Sequence, residues 1–157
     1  MLKNINKNIK ILYVEDDEIA RENGVEYLQN FFEQIYEASD AIKALQLYEK
    51  YQPDIIITDI QMPKLNGLEF VKRIRQKDKK TQIIIITAFC DKDYLLKAIE
   101  LGLVKYLVKP VKEKEFEEAL FLCVNSLQED NSNIVKLDEN SYFDTFNKNL
   151  VIKDEII

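Results

Sequence analysis

Several residues able to do chemistry stand where apolar runs of the sequence end. Glu15 and Asp16 follow the run "IKILYV", and Asp59 follows "DIIIT". Thr87 closes the run "QIIIIT", and Lys109 follows "KYLV". Carboxylates suit a hard divalent cation, and a carboxylate beside such a cation and a lysine can attack phosphorus. These five residues point to phosphoryl chemistry, provided that the fold brings them together.

What the sequence lacks excludes most other chemistries. The chain has no histidine, which rules out catalytic triads that depend on one and the usual zinc sites. Its only glycines are Gly24, Gly67 and Gly102, so neither a GxGxxG nor a Walker A motif is present. Cys90 and Cys123 are widely spaced, and we expect them to be apolar fillers and not a disulfide or a metal pair.

Size and charge predict a folded chain with one main domain. The 157 residues are 46% hydrophobic and 32% charged, which is typical of globular proteins. The chain has 28 acidic and 22 basic residues, and this net negative charge argues against a nucleic-acid-binding surface. The longest apolar run, around "IIIITAF", is far shorter than the roughly 20 residues of a membrane helix. The N-terminal apolar stretch is too short for a signal peptide, so we expect a cytoplasmic protein.

Short apolar runs alternate with longer amphipathic stretches along the chain. The short runs predict strands at residues 9–14, 34–38, 54–58, 82–87 and 105–108. The longer stretches predict helices at about residues 18–30, 40–51, 66–77, 92–101 and 112–128. Five such units predict an α/β fold, a doubly wound open parallel sheet with helices on both faces. Reactive groups of such sheets gather beyond the carboxyl ends of the strands, beside the topological switch point.

Four motifs carry a resemblance to a known family. In chain order they are "YVEDDE", "TDIQMPKLNGLEF", "ITAF" and "YLVKPV". Each is weak alone, but together they stand in register on the strand ends over roughly residues 8–126. The chain resembles the receiver domain of two-component response regulators. The resemblance implies a flavodoxin-like five-stranded sheet with strand order 2-1-3-4-5.

The resemblance implies that Asp59 is the phosphoacceptor and takes phosphate from the phosphohistidine of a sensor histidine kinase. Mg²⁺ or Mn²⁺ would be held by Asp16, Asp59 and the backbone carbonyl of Gln61, with Glu15 bound through a water. The domain would assist its own phosphotransfer and dephosphorylation, and we do not expect it to be an enzyme otherwise. The phosphate lifetime would depend on Gln61 and on Phe89, whose bulk predicts intermediate to slow loss of phosphate.

Further residues have implied roles in binding phosphate and in switching. Lys109 and Thr87 would bind phosphoryl oxygens, and the small Ala88 would let the backbone approach. A cis peptide bond is implied between Lys109 and Pro110. When Thr87 moves toward the phosphate, Tyr106 would turn inward and repack the face formed by the fourth helix, the fifth strand and the fifth helix. That face is the candidate homodimer surface.

Structural roles are the alternative for several of these residues. We expect Asp17 to be the N-cap of the first helix and not a metal ligand. Glu15 and Asp16 could be solvated turn acids, and Lys109 could be a surface lysine. Tyr106 could be a half-buried strand aromatic.

Two other functional classes stay open. A hydrolase of the haloacid dehalogenase type also uses a strand-end aspartate with magnesium, but it needs a second aspartate two residues later, where this chain has Gln61. The other class is an interaction module that keeps the receiver fold and has lost phosphotransfer, although all five site positions are intact here. A small phosphodonor that labels the protein would separate these readings.

The C-terminal residues predict a second, incomplete domain. We expect a receiver domain at residues 1–128, a linker at 129–133 and a β-rich extension, a meander, at 134–157. The meander resembles the first strands of the winged-helix DNA-binding domain of one response regulator class, which would make the chain a fragment of a transcription factor. A stand-alone receiver with an unusual tail is the alternative. The missing recognition helix and the negative charge predict that this chain alone binds no specific DNA.

The predicted dimer face departs from that class in its charges. Members of the class usually carry two acids just before the fifth-strand tyrosine and an arginine on the fifth helix. This chain has Val104 and Lys105 before Tyr106, and the acidic stretch "EKEFEEAL" on the helix. We therefore do not expect the usual salt bridges of the active dimer, although the same face could associate through other contacts.

Overall fold

The computed structural model describes residues 2, 5, 7–88 and 91–140, with side chains as far as residue 129. The chain divides into two compact units, Met1–Cys123 and Val124–Ile157. Strands and helices alternate in the order β1 Lys10–Val14, α1 Glu18–Leu28, β2 Gln34–Ala38, α2 Ala41–Tyr51, β3 Ile55–Thr58, α3 Gly67–Arg75, β4 Gln82–Thr87, α4 Lys92–Glu100, β5 Lys105–Val108 and α5 Glu113–Asn140. None of the helices within the described ranges combines the length and the apolar character needed to cross a membrane.

The five strands are parallel and form one sheet in the order β2-β1-β3-β4-β5. This confirms the predicted fold class and strand order. The chain passes from β1 to β2 on one side and then crosses to β3 on the other, so the topological switch point lies between β1 and β3. Ligands of open α/β sheets bind beyond the carboxyl ends of the strands at this point.

Isoleucine fills the centre of the sheet because both faces are covered. β3 is buried along its whole length, and β4 is buried except at Gln82. On one face, side chains such as Leu12 and Ile56 pack with buried residues of α2, α3 and α4. On the other face, the Tyr13 ring meets α1 at Gly24, where an added Cβ atom would lie 2.3 Å from the tyrosine hydroxyl oxygen. Helices therefore cover both faces, as predicted.

Four helices begin at an Asp or Asn residue whose side chain caps the first turn. The capping residues of α1, α2, α3 and α4 are Asp17, Asp40, Asn66 and Asp91. Asp17 accepts a hydrogen bond from the Ala20 N–H at 2.8 Å, which confirms the prediction that it is an N-cap. These caps fix where each helix starts after the preceding strand end.

The fifth helix corrects the prediction for the C-terminal part of the chain. α5 runs to Asn140, so residues 129–133, predicted as a linker, are helical, and so are residues 134–140, predicted as the start of a meander. Residues 113–140 contain neither glycine nor proline, and a short apolar group such as "IVKL" does not distinguish a strand from a helix. Residues 141–157 of the predicted meander lie outside the described residues, and the domain boundary at residue 128 stays a prediction.

A buried arginine joins the loops at the amino end of the sheet. The Arg75 guanidinium donates to the carbonyl oxygens of Leu101 at 2.7 Å and of Thr81 at 2.7 Å. It also donates to the carbonyl oxygens of Asp78 and Gly102. Burial lowers the pKa of Arg75 from its ordinary value, but an arginine side chain remains charged. Arg75 therefore ties the end of α3 to the loops that precede β4 and β5.

Asp78 accepts four hydrogen bonds in the same cluster. Its Oδ2 accepts from the hydroxyl groups of Tyr48 and Thr81, and its Oδ1 accepts from the N–H groups of Lys80 and Thr81. Burial alone would raise the pKa of Asp78. The hydrogen bonds, led by that of the Thr81 hydroxyl, outweigh burial and lower the pKa to about 2.

Gly67, the first residue of α3, lies against the end of β3. A Cβ atom at this position would lie 1.9 Å from the carbonyl oxygen of Asp59 and 2.9 Å from the Cα atom of Ile60. The Gly67 N–H donates to the Ile60 carbonyl at 2.8 Å. Only glycine permits so close an approach of two backbones, so the start of α3 holds the loop that follows β3.

We expect the Asp78→Asn variant to lose about 2 kcal/mol of unfolding free energy at neutral pH, because an amide has one acceptor oxygen for four donors. Folding lowers the pKa of Asp78, so its stabilisation is complete above the unfolded pKa of about 3.9 and is lost as the pH falls toward about 2. Urea unfolding should show the deficit shrinking between about pH 5 and pH 3. The exposed Glu26→Gln serves as the control, and a deficit constant down to about pH 3 would contradict the assignment.

The Gly67→Ala variant should lose about 2 kcal/mol of unfolding free energy, because the new methyl group forces the backbone of Asp59 and Ile60 to move. Urea unfolding measures the loss, and amide chemical shifts of Asp59 and Ile60 report the displacement. Lys72→Ala, at an exposed position of the same helix, is the matched control and should change stability by less than about 0.5 kcal/mol. Equal stability of Gly67→Ala and the parent would contradict the inference that the start of α3 holds the loop that follows β3.

Candidate functional site

Parallel register places the acids after β1 and β3 side by side. Val14 and Thr58 pair as the last residues of these neighbouring strands, so Glu15 and Asp59 follow at the same level of the sheet. The Asp59 N–H donates to the Val14 carbonyl at 3.2 Å, which extends the pairing by one residue. Both acids therefore stand at the switch point between β1 and β3.

Lys109, which follows β5, reaches the same rim. Its N–H donates to the Thr87 carbonyl at 2.8 Å, and the peptide bond between Lys109 and Pro110 is cis, as expected. The ammonium group of Lys109 donates to Glu15 Oε1 at 2.6 Å and to Asp59 Oδ2 at 3.0 Å. One cation thus bridges two carboxylates that would otherwise repel each other.

The Asp59 carboxylate is held on both oxygens. The side chain is nearly buried, at 9% relative exposure. Its Oδ1 accepts from the Ile60 N–H at 2.6 Å and the Gln61 N–H at 3.2 Å, while Oδ2 accepts from Lys109. The turn after β3 and the lysine after β5 therefore orient Asp59 together.

Three carboxylates of the site can reach one cation. Oxygen atoms of Glu15, Asp16 and Asp59 lie within 4.8 Å of one another. Glu15 and Asp59 are buried, whereas Asp16 is exposed. Oxygen ligands with net negative charge fit a hard divalent cation such as Mg²⁺, and this chain has no histidine to favour a softer metal.

Burial and the lysine bridge control the ionisation of the site. Burial raises the pKa of Glu15, although the hydrogen bond from Lys109 acts in the opposite direction. Burial would lower the pKa of Lys109, but its hydrogen bonds to Glu15 and Asp59 outweigh this and raise that pKa. Burial also raises the pKa of Tyr13 to about 12. At neutral pH Lys109 is therefore charged and Tyr13 is neutral.

The remaining predicted site residues differ in exposure. Thr87 is fully buried at the end of β4, and Ala88, the next residue, is exposed. Tyr106 is half-buried on β5 and packs against the core on the side of α2, α3 and α4. Gln61 is exposed, and Phe89 lies outside the described residues. The roles in phosphate binding, switching and phosphate lifetime stay predictions.

An open cleft of about 400 Å³ adjoins the acids. It is lined by Asp16, by residues 60–63 after β3, and by Asn66 and Tyr94 at the starts of α3 and α4. Because the exposed Asp16 lines it, the cleft connects solvent with one of the three carboxylates and with the loop that follows Asp59. A cation or a small phosphorylated molecule could enter the site by this route.

Arg21 is a neighbour of the site that the sequence did not reveal. Its guanidinium donates to the backbone carbonyl of Glu15 at 2.9 Å and to Glu37 Oε1 at 3.2 Å. No motif includes Arg21. The sequence does offer one clue: Arg21 lies four residues after the N-cap Asp17, so it is one helical turn beyond the loop that carries Glu15 and Asp16.

Comparisons with known proteins agree with this geometry. Residues 11–121 match the model of the response regulator receiver domain. The transcriptional regulatory protein BtsR of Salmonella typhi is 38% identical over 114 residues, which cover 71% of this chain and 46% of BtsR. The transcriptional regulatory protein HptR of Staphylococcus aureus is 32% identical over 126 residues, which cover 78% of this chain and 49% of HptR. The chain spans about half the length of these relatives.

Solved structures give the same result. The N-terminal domain of an uncharacterized protein from Wolinella succinogenes is 38% identical, with a TM-score of 0.70, and the match covers 84% of this chain and 99% of that domain. The chemotaxis protein CheY4 of Vibrio cholerae is 29% identical, with a TM-score of 0.68, over 73% of this chain and 98% of that one. The family match, the sheet order and the acidic rim all lead to one assignment: this chain belongs to the response regulator receiver family.

Proposed function

We propose that this receiver domain accepts a phosphoryl group on Asp59 from the phosphohistidine of a sensor histidine kinase. The observation that best supports this is the Lys109 bridge between Asp59 and Glu15, which keeps a positive charge beside the nucleophile. A compact ammonium group is suited to receive a phosphoryl oxygen. The donor histidine would belong to the kinase, since this chain has none.

The phosphotransfer follows from the groups around Asp59. One carboxylate oxygen forms a bond to phosphorus, while the bond between phosphorus and the imidazole nitrogen breaks and its electron pair stays on the nitrogen. Lys109 shifts its hydrogen bonds from the carboxylates to a phosphoryl oxygen, and the Thr87 hydroxyl donates to another. The N–H groups of Ile60 and Gln61 keep the second carboxylate oxygen in place during the transfer.

The acidic cluster is proposed to hold Mg²⁺ or Mn²⁺. Asp16, Asp59 and the backbone carbonyl of Gln61 would be the direct ligands, and Glu15 would bind through a water. The cation, when bound, would offset the negative charge of the phosphoryl oxygens. The all-oxygen cluster and the open cleft beside Asp16 support this proposal.

Phosphorylation is proposed to switch the face formed by α4, β5 and α5. A buried Thr87 that turns toward the phosphate would leave space on the side of β5, into which the half-buried Tyr106 could turn. Each of these three elements carries exposed apolar side chains, which support a contact surface: Leu96 and Ile99 on α4, Val108 on β5 and Phe121 on α5. Homodimerisation through this face would use these side chains in place of the usual salt bridges, because Val104 and Lys105 do not supply the two acids that those salt bridges need.

The output is proposed to be control of transcription. Two relatives are named transcriptional regulatory proteins, and the chain spans about half of each. DNA binding would then belong to a part of the protein other than the receiver domain. The winged-helix type of effector stays a prediction. The helical state of residues 134–140, expected to begin its first strands, does not support it.

The Asp59→Asn variant should not be labelled by acetyl phosphate in the presence of Mg²⁺, because an amide oxygen is a poor nucleophile. Radioactive phosphate retained on the protein measures the reaction. Asp93→Asn, a change of an exposed acid on α4, is the matched control and should be labelled like the parent chain. Label retained by Asp59→Asn would contradict the proposal. An unlabelled parent would favour an interaction module, and multiple turnovers of the donor would favour a hydrolase.

Crystal structures with and without a beryllofluoride phosphate mimic should differ at Tyr106. We expect the inward rotamer when the mimic is bound, because Thr87 then moves toward it. Tyr36 is the internal control, since its ring stacks on Tyr51 with centroids 4.0 Å apart and should keep its rotamer in both structures. An unchanged rotamer distribution at Tyr106 would refute this switch.

A further inference from the structure

Arg21 contacts the acidic loop but plays no part in the chemistry described above. Its side chain is only 17% exposed and spans from α1 to the ends of β1 and β2. One guanidinium nitrogen donates to the Glu15 carbonyl at 2.9 Å, and another pairs with Glu37 at 3.2 Å. A partly buried arginine with two fixed partners is a geometric constraint on the loop that it joins.

The loop that Arg21 contacts carries the acids of the site. The Glu15 N–H donates to the Ala38 carbonyl at 3.0 Å, which fixes the start of the loop on β2. Asp17 caps α1 and donates its own N–H to Glu15 Oε2 at 3.2 Å, which fixes the end of the loop on the helix. The Arg21 contact falls between these two anchors, on the carbonyl group of the peptide bond that joins Glu15 to Asp16.

The orientation of the Asp16 carboxylate depends on the backbone more than that of Glu15 or Asp59 does. Glu15 and Asp59 are buried and bound to Lys109, whereas the Asp16 side chain is exposed. A change in the ψ angle of Glu15 and the φ angle of Asp16, which turns the peptide plane between them, would move the Asp16 carboxylate away from the other two acids. Arg21 opposes that turn because it holds the carbonyl oxygen of this peptide plane.

We propose that Arg21 is a positioning residue for the divalent cation, and that it acts by holding the peptide bond before Asp16. This inference rests on the proposed function, since it concerns the same cation site. Glu37 supports the arrangement by holding the guanidinium from the side of β2, and the Asp17 cap supports it by setting where α1 begins.

The direction in which the dissociation constant for Mg²⁺ changes when the Arg21 side chain is removed distinguishes positioning from simple electrostatics. Arg21 is a cation near an acidic cluster, so removing its charge should strengthen binding of Mg²⁺ if electrostatics alone matters. If positioning matters more, removing the side chain should weaken binding, as loss of an outer-shell partner of a metal site does, by about tenfold or more. The two explanations therefore predict opposite changes in the dissociation constant.

The experiment is a calorimetric titration of the whole chain with Mg²⁺ alone, at constant ionic strength, without any phosphodonor. We expect Arg21→Met and Arg21→Gln to bind about tenfold more weakly than the parent, because methionine cannot donate and glutamine is too short to reach the carbonyl. Arg21→Lys keeps a long donor and should stay within about threefold. Arg73→Met, an exposed arginine of α3, is the matched control and should bind like the parent.

Circular dichroism and urea unfolding establish that each variant is folded. Methionine, glutamine and lysine have helix propensities close to that of arginine, so none of the three is expected to disturb α1. If the parent binds Mg²⁺ and Asp16→Asn does not, the cation binds at the proposed site. Binding by folded Arg21→Met or Arg21→Gln that equals or exceeds that of the parent would then overturn the role of Arg21 alone. If the parent itself does not bind Mg²⁺, the proposed cation site fails.

Discussion

The lysine bridge between Glu15 and Asp59 is the interaction on which the rest of the site depends. Parallel pairing of β1 and β3 forces two carboxylates to the same level of the sheet, and burial makes their repulsion costly. Lys109 offsets this repulsion only because β5 ends at the same rim, two strands from β3 and three from β1. The order of the strands therefore determines whether the acids are tolerated at all.

The bridge also bears on how the site could stay stable during the proposed phosphotransfer. Removing a partner from a buried charge pair is strongly destabilising, so the acids need a cation at all times. A phosphoryl group with a divalent cation would bring both signs of charge, and the ammonium group could then move to a new partner. Charge balance in the site would thus be preserved through the reaction. Tyr13 remains neutral beside it and adds no charge to this balance.

The sequence predicted those parts of the molecule that depend on local pattern. Isoleucine runs marked β3 and β4, and Asp17 was recognised as a cap because its role is set within three residues. The length of α5 does not follow from the sequence, because the apolar groups after residue 128 fit either a helix or a strand. The role of Arg75 does not follow from the sequence, since its partners are backbone carbonyl groups, which any residue type provides. Arg21 also holds a backbone carbonyl, and its side-chain partner Glu37 lies on a separate element, so no local pattern marks the contact.

The Arg75 and Asp78 cluster lies at the opposite end of the strands from the acidic rim. β4 starts beside Thr81 and ends at Thr87, so six residues, about 20 Å of extended chain, separate the two ends. Substitutions at one end share no contacts with those at the other, and their effects on stability should largely add. A substitution at the rim can therefore change the candidate site while the hydrogen bonds of the Arg75 and Asp78 cluster stay intact.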